Sequence, residues 1–235
     1  MFGRYEPGFS YADPDIRIQL LDSDDLVRYE RECAGKKESK FLGRSFTALH
    51  IHPVEPVNLP EQLTNYLEIS FPPLVLPPGS SQTVYLKFPV EIGVFLESGE
   101  KRNLVDIFSL APVKFSLYGT PSSGVITRWY YSDIYTEIPE TNPLREGVMT
   151  LQIKNSWTEA ITVSRAVFDG PSMCLFYGDR VAMITNMEII SSSITHTTFS
   201  DIAPAGCPNR SIDLYVSRGF SLTTRKGYFM EAGTI

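Results

Sequence analysis

The chain reads as all-β, and three observations carry that reading. Helical periodicity is nearly absent. Short runs alternate between apolar and polar residues from end to end, and Gly, Pro, Asn and Ser separate them, with 17 prolines in 235 residues. Such runs have one apolar face each, so they pair into antiparallel sheets whose apolar faces must meet, and a β-sandwich is the economical arrangement. The architecture expected is two immunoglobulin-like sandwiches in tandem, without the disulfide.

Taken in order, Ile16, Ile18 and Leu20 alternate with Arg17 and Gln19, which predicts a strand with one buried face. Lys36, Lys37, Lys40 and Arg44, interrupted by Glu38, read as a solvated hairpin tip. His50-Ile51-His52 puts two imidazoles on one strand face. NLPEQLTNYL, 58 to 67, holds the one helical turn expected, with Asn58 as cap, Pro60 in the first turn and Glu61 three residues on. Residues 67–71 alternate as a strand, FPPLVLPPGSS (71–81) reads as a turn, and Val84, Leu86 and Phe88 alternate with Tyr85 and Lys87. In FPVEIGVF (88–95), Glu91 shares a face with Gly93 and Phe95, opposite the more apolar Val90, Ile92 and Val94.

YGTPSSG (118–124) separates two strand-like runs, 113–118 and 125–130, and predicts a β-hairpin. Continued as a strand, RWYYSDIYTE (128–137) sets Trp129, Tyr131, Asp133, Tyr135 and Glu137 on one face. IPETNPLREG (138–147) is the most linker-like stretch, followed by strand-like runs at 151–157 and 161–169. APAGCPN (203–209) is a further turn, and Ile212, Leu214 and Val216 alternate with Asp213 and Tyr215 as a last strand. With the usual domain size, the junction falls between about 110 and 145. The expected division is an N-terminal sandwich over 1–112 and a C-terminal sandwich over 113–235 that opens with the long hairpin.

PVEPVNLP (53–60), FPVEIGVF (88–95), YGTPSSGVITR (118–128) and YTEIPETNPLREGV (135–148) together resemble a DUF432-like archaeal family, catalogued only as a domain of unknown function. The resemblance implies an archaeal source and a cytoplasmic protein. It implies no activity, substrate or catalytic residue.

Composition narrows the function. Hydrophobic residues at 43% and charged residues at 20% describe a folded globular chain. The formal charge of −6 and the lack of a concentrated basic footprint argue against nucleic acid as partner. Three cysteines, dispersed and odd in number, make no disulfide framework, and MFGRYEPGFS has no secretory pattern. No segment approaches a membrane span. The expectation is a cytoplasmic protein that does not insert into membranes.

No catalytic motif is present: there is no GxSxG elbow, no GxGxxG and no P-loop, and three histidines offer few possible bases. His50 and His52 with Glu55 resemble the opening of a cupin metal site, but the spacing across Pro53 departs from it and the remaining histidine, His196, is distant in sequence. They are read as surface or edge-strand histidines, with no metal and no cofactor expected. Glu91 is read as solvent-facing, because lone buried carboxylates are rare, with a general acid of raised pKa as the alternative. Cys174 reads as a core thiol and Cys207, in a Gly-Pro turn, as exposed.

The face of Trp129, Tyr131, Asp133, Tyr135 and Glu137 remains. Aromatic side chains anchor protein interfaces, stack on sugars and fill cores alike. The leading expectation is a non-enzymatic interaction module with a protein partner or self-association; the alternative is a carbohydrate or small-ligand site on the 129–137 face, and a metal-dependent cupin-like enzyme ranks below both.

Overall fold

The structure is a computed structural model that describes residues 1–23, 26–43, 45–214 and 228–230. Arg44 of the expected hairpin tip, and Tyr215 and Val216 of the expected last strand, lie outside the described residues. Strands carry the fold, and a 3-10 turn spans Gly170–Ser172.

In chain order the strands are β1 (Gly3–Tyr5), β2 (Ser10–Asp13), β3 (Ile16–Ser23), β4 (Leu26–Cys33), β5 (Lys36–Gly43) and β6 (Ala48–Val54). They continue as β7 (Tyr66–Leu76), β8 (Ser81–Pro89), β9 (Glu91–Ser98), β10 (Lys101–Phe108), β11 (Phe115–Tyr118) and β12 (Val125–Tyr131). The remainder are β13 (Glu146–Asn155), β14 (Ile161–Asp169), β15 (Phe176–Tyr177), β16 (Val181–Ser191), β17 (Ile194–Phe199), β18 (Asn209–Arg210) and β19 (Tyr228–Met230).

These form four sheets. The first has the order β1-β6-β9-β10, the second is the meander β2-β3-β4-β5, and the third runs β11-β12-β7-β14. The fourth runs β18-β15-β16-β13-β8, with β17 and β19 extending it from β16. The all-β expectation holds, with antiparallel sheets packing as sandwiches. Two pairs depart from antiparallel: β12 lies parallel to β7, and β13 parallel to β16. The division at residue 112 is crossed by hydrogen-bonded pairing, since β8 pairs with β13 and β7 with both β12 and β14.

One core joins the sheets. Ile16, Ile18, Leu20, Leu49, Ile51, Leu67, Ile69, Leu86, Ile92, Leu151 and Met183 are all buried in a single cluster, as strands with period-2 apolar residues require. The first and second sheets are also tied by charge. Arg31 on β4 donates from Nε to Asp106 Oδ2 on β10 at 2.6 Å, and the Tyr29 hydroxyl donates to the same oxygen at 2.8 Å.

Three local expectations are corrected. No helical turn forms at 58–65: Gln62 has a φ of 64°, which a right-handed helix does not accept, and the Asn58 backbone N–H donates to Glu91 Oε2. Residues 71–76 are strand rather than turn. Pro72 and Pro73 fall where the β7–β14 register shifts, between the Ser70–Arg165 and Leu74–Val163 pairs, so their missing donors interrupt no regular ladder. Cys207 is fully buried, its Sγ donating to the Arg180 carbonyl at 3.5 Å.

Candidate interaction surface

The third sheet carries Trp129 and Tyr131, two of the five sequence-predicted residues. Its inner face buries Leu67 and Ile69 of β7 with Ala166 and Phe168 of β14, paired Ile69 to Ala166 and Leu67 to Phe168. Alternation then sends Glu68 and Ser70, Ser116 and Tyr118, and Thr127, Trp129 and Tyr131 to the other face. Trp129 is half-buried, its indole Nε1 donating to Ser70 Oγ at 3.0 Å, and Lys114 Nζ sits 5.6 Å from its ring centre. Tyr131 is 51% exposed. Arg165 lies over the Tyr118 ring at 4.9 Å.

Glu68 is buried on this face because polar partners surround it. Its Oε2 accepts from Ser116 Oγ at 2.6 Å and from Thr127 Oγ1 at 2.8 Å, and Arg165 Nη1 stands 4.0 Å from Oε1. The surface left to solvent is aromatic and cationic, with Lys114 and Arg165 exposed at its two sides.

The predicted alternation stops at Tyr131. Beyond it, Ser132 N–H donates to the Ser70 carbonyl and Ser132 Oγ accepts from Lys87 N–H, so the chain turns away from the third sheet toward β8. Tyr135 is half-buried there, bridging Tyr85 through paired backbone bonds of 2.9 and 3.0 Å. Asp133 and Glu137 are exposed on that crossing segment. The structure therefore brings Trp129 and Tyr131 together on β12 and carries Asp133, Tyr135 and Glu137 past its end.

The hairpin β11–β12 forms as expected, with Phe115 opposite Arg128 and Leu117 opposite Ile126. Because β11 ends the third sheet, this hairpin overhangs the core. Phe115 (38%), Leu117 (47%) and Ile126 (45%) are exposed although they share the inner face with buried Arg128. Among the described residues β11 is an edge strand, and an edge strand with exposed apolar side chains is a template for another chain. The sequence reading missed Leu117, Ile126, Tyr118 and Arg165. Their apolar or alternating pattern is visible in the sequence, but the position of β11 at an edge is not.

The histidines are corrected. Both are buried on β6, which is flanked by β1 and β9, so neither stands at the surface or on an edge. His50 Nε2 meets Glu97 Oε2 at 2.6 Å. Burial, then the neighbouring His50 and Arg102 charges, pushes the His52 pKa down to about 4, so it is neutral at physiological pH. Among the described residues no group of three or more His, Cys, Asp or Glu side chains is placed to hold a metal ion.

Glu91 is corrected too. It is wholly buried, because the first sheet is covered on both faces. One face packs Leu49, Ile51, Ile92 and Val94 into the main core; the other packs Val54 and Phe95 beneath Leu214, and Ser211 Oγ donates to the Pro53 carbonyl there. Gly93 makes room on that second face, since a Cβ would stand 2.7 Å from the Phe95 ring and 3.0 Å from Val54. Arg128, also wholly buried, approaches Glu91 from β12 at 3.8 Å. Cys174 is half-buried rather than core. Burial and a hydrogen bond to Asp201 push its thiol up to about 11, so the reactive thiolate is scarce at neutral pH.

No helix among the described residues is long and apolar enough to cross a membrane. The pattern of one family, described as a protein of unknown function (DUF432), matches residues 1–231. No curated protein and no solved structure matches the chain.

Proposed function

We propose, for a chain that belongs to the DUF432 family of proteins of unknown function, that it works as a non-enzymatic protein-interaction module through the third sheet. One observation carries the reading: the hairpin β11–β12 exposes Phe115, Leu117 and Ile126 on one side and Tyr131 on the other, and among the described residues β11 is the outer strand of its sheet. Tyr, Trp and Phe at a surface supply anchor area, and an edge strand supplies backbone hydrogen bonds. The partner is a protein or a second copy of the chain. Neither nucleic acid nor membrane is assigned as a partner. An archaeal, cytoplasmic setting accompanies the proposal, supported by the family resemblance and the three dispersed cysteines.

The test is capture from a lysate of the native host, beside sedimentation of the purified protein, using wild type and the double variant Trp129→Ala/Tyr131→Ala. A reproducible partner or self-association, lost in a folded double variant, is the expected result. A well-folded wild type that binds nothing and stays monomeric overturns the proposal.

A carbohydrate or small-ligand site is the second reading. It is favoured by the two rings of Trp129 and Tyr131 on one face, while Lys114 over the indole competes for the stacking surface. Ligand-dependent quenching of Trp129 fluorescence supports it, and silence across glycans and metabolites removes it.

A further inference from the structure

Beneath the hairpin lies a group of charges whose hydrogen bonding is incomplete. Glu91 and Arg128 are both 0% exposed, yet Glu91 Oε1 and Arg128 Nε and Nη1 have no hydrogen-bond partner, and Nη1 stops 3.8 Å from Oε1. Asn58 Oδ1, on the segment entering from β6, is likewise a buried acceptor without a partner. Glu91 Oε2 accepts from Asn58 N–H at 3.0 Å, and the Asn58 side chain and Leu59 N–H also bear on the carboxyl group. Arg128 Nη2 donates to the Pro112 carbonyl at 3.2 Å.

We propose that Glu91 and Arg128 form a proton-closed latch: with a proton on Glu91 the 55–64 segment and β12 stay seated on β9, and loss of that proton to solvent loosens both together.

The geometry favours the protonated form. An ionised carboxylate needs donors at both oxygens, and wholly buried Oε1 has none at hydrogen-bond distance, Arg128 Nη1 stopping 3.8 Å short. A neutral acid carries no charge for burial to penalise. Burial accordingly outweighs the attraction of Arg128 and pushes the Glu91 pKa from 4.5 up to about 7. Three other charged or titratable side chains lie nearby. Arg128 faces Glu91 from β12, Glu55 sits on the same segment as Asn58, and His52, one cross-strand pair along the same face opposite Gly93, is already neutral above about pH 4.

Two contacts join the moving parts. Thr64 Oγ1 donates to the Ile126 carbonyl at 2.6 Å, and Arg128 anchors the chain at Pro112 just before β11. Movement of the 55–64 segment is therefore felt at both strands of the hairpin.

The sign follows from linkage. The closed form binds the Glu91 proton more tightly than an open, hydrated form with an ordinary carboxyl pKa. The extra stability of the closed form is full below about pH 4.5, falls as pH rises, and is gone once pH passes about 7. Across that window opening increases about tenfold per pH unit.

The latch itself needs no partner; only its control over binding rests on the interaction reading above. The test is amide hydrogen exchange of the full chain from pH 5 to 8, corrected for the intrinsic pH dependence of exchange. Amides at 58–64 and 126–130 are expected to lose protection by about 40-fold between pH 5 and 7 and to level off above it. Glu91→Gln, which keeps a neutral side chain at every pH, is expected to flatten that profile. A flat wild-type profile, or an unchanged slope in Glu91→Gln, overturns the latch while leaving partner capture through Trp129 untouched. If Glu91→Gln does not fold, carbon NMR of the wild-type Glu91 carboxyl decides: a midpoint near 7 that coincides with the loss of protection supports the latch, and one near 4.5 overturns it.

Discussion

Asp106 shows how much a single side chain holds here. Its carboxylate accepts from Arg31 and Tyr29, and Lys40 Nζ, 3.9 Å from Oδ1, caps the group while donating to the Val105 carbonyl. Asp106→Ala leaves Arg31, itself only 8% exposed, without its counter-charge, and about 3–5 kcal/mol of stability should be lost. Urea denaturation measures it, and a loss under about 1 kcal/mol would show the triad to be solvated. At this scale the sequence was legible where a residue's environment is local and opaque where it is not. The shared face of Gly93 and Phe95 was readable, because Phe95, whose ring needs the space at Gly93, is only two residues away. The burial of Glu91 was not, because Leu214, which covers its face, is more than a hundred positions later.

Elements were read well wherever alternation and turn chemistry agree. The hairpin β11–β12 is the clear case: YGTPSSG supplies the turn, Thr120 O accepts the Gly124 N–H, and both arms alternate. β7 was cut short because two prolines resemble punctuation, although a register shift lets the strand continue through them. The 58–65 segment carries capping signals, yet tertiary bonds to Asn58 take precedence over local propensity. One prediction belongs here. Leu117 is 47% exposed on an edge strand, so Leu117→Lys should change stability by no more than about 0.5 kcal/mol. The same change places a charge where an added strand would dock. Loss of partner binding or self-association in sedimentation, with an unchanged melting temperature, is the expected pair of results.

For the whole molecule, period-2 patterning was enough to give the all-β class but not the strand order, since periodicity says which face is apolar and nothing about which strand lies beside it. The candidate surface was legible as far as Trp129 and Tyr131; its extension to Tyr118 and Arg165 depends on β11 and β14 bracketing β12 and β7. The interleaving has a measurable result. A fragment of residues 113–235 lacks β8 and β7, the neighbours of β13, β12 and β14. It should give a poorly dispersed NMR spectrum or aggregate, and the intact chain should unfold in one transition with coincident probes. A folded fragment would show that the third and fourth sheets tolerate the loss.

The pairing of β8 with β13 also sets a clock for synthesis. Roughly 60 residues separate Pro89 from its partner Glu146, and at roughly 5–20 residues per second a nascent β8 waits about 3–12 s for the strand that will cover its edge. During that interval the growing chain presents an open, apolar-faced ribbon outside the ribosome. Its yield in a cell is therefore tied to translation speed and to chaperones that shield such ribbons, and slowing elongation between these two strands lengthens the exposure without altering a single contact of the finished protein.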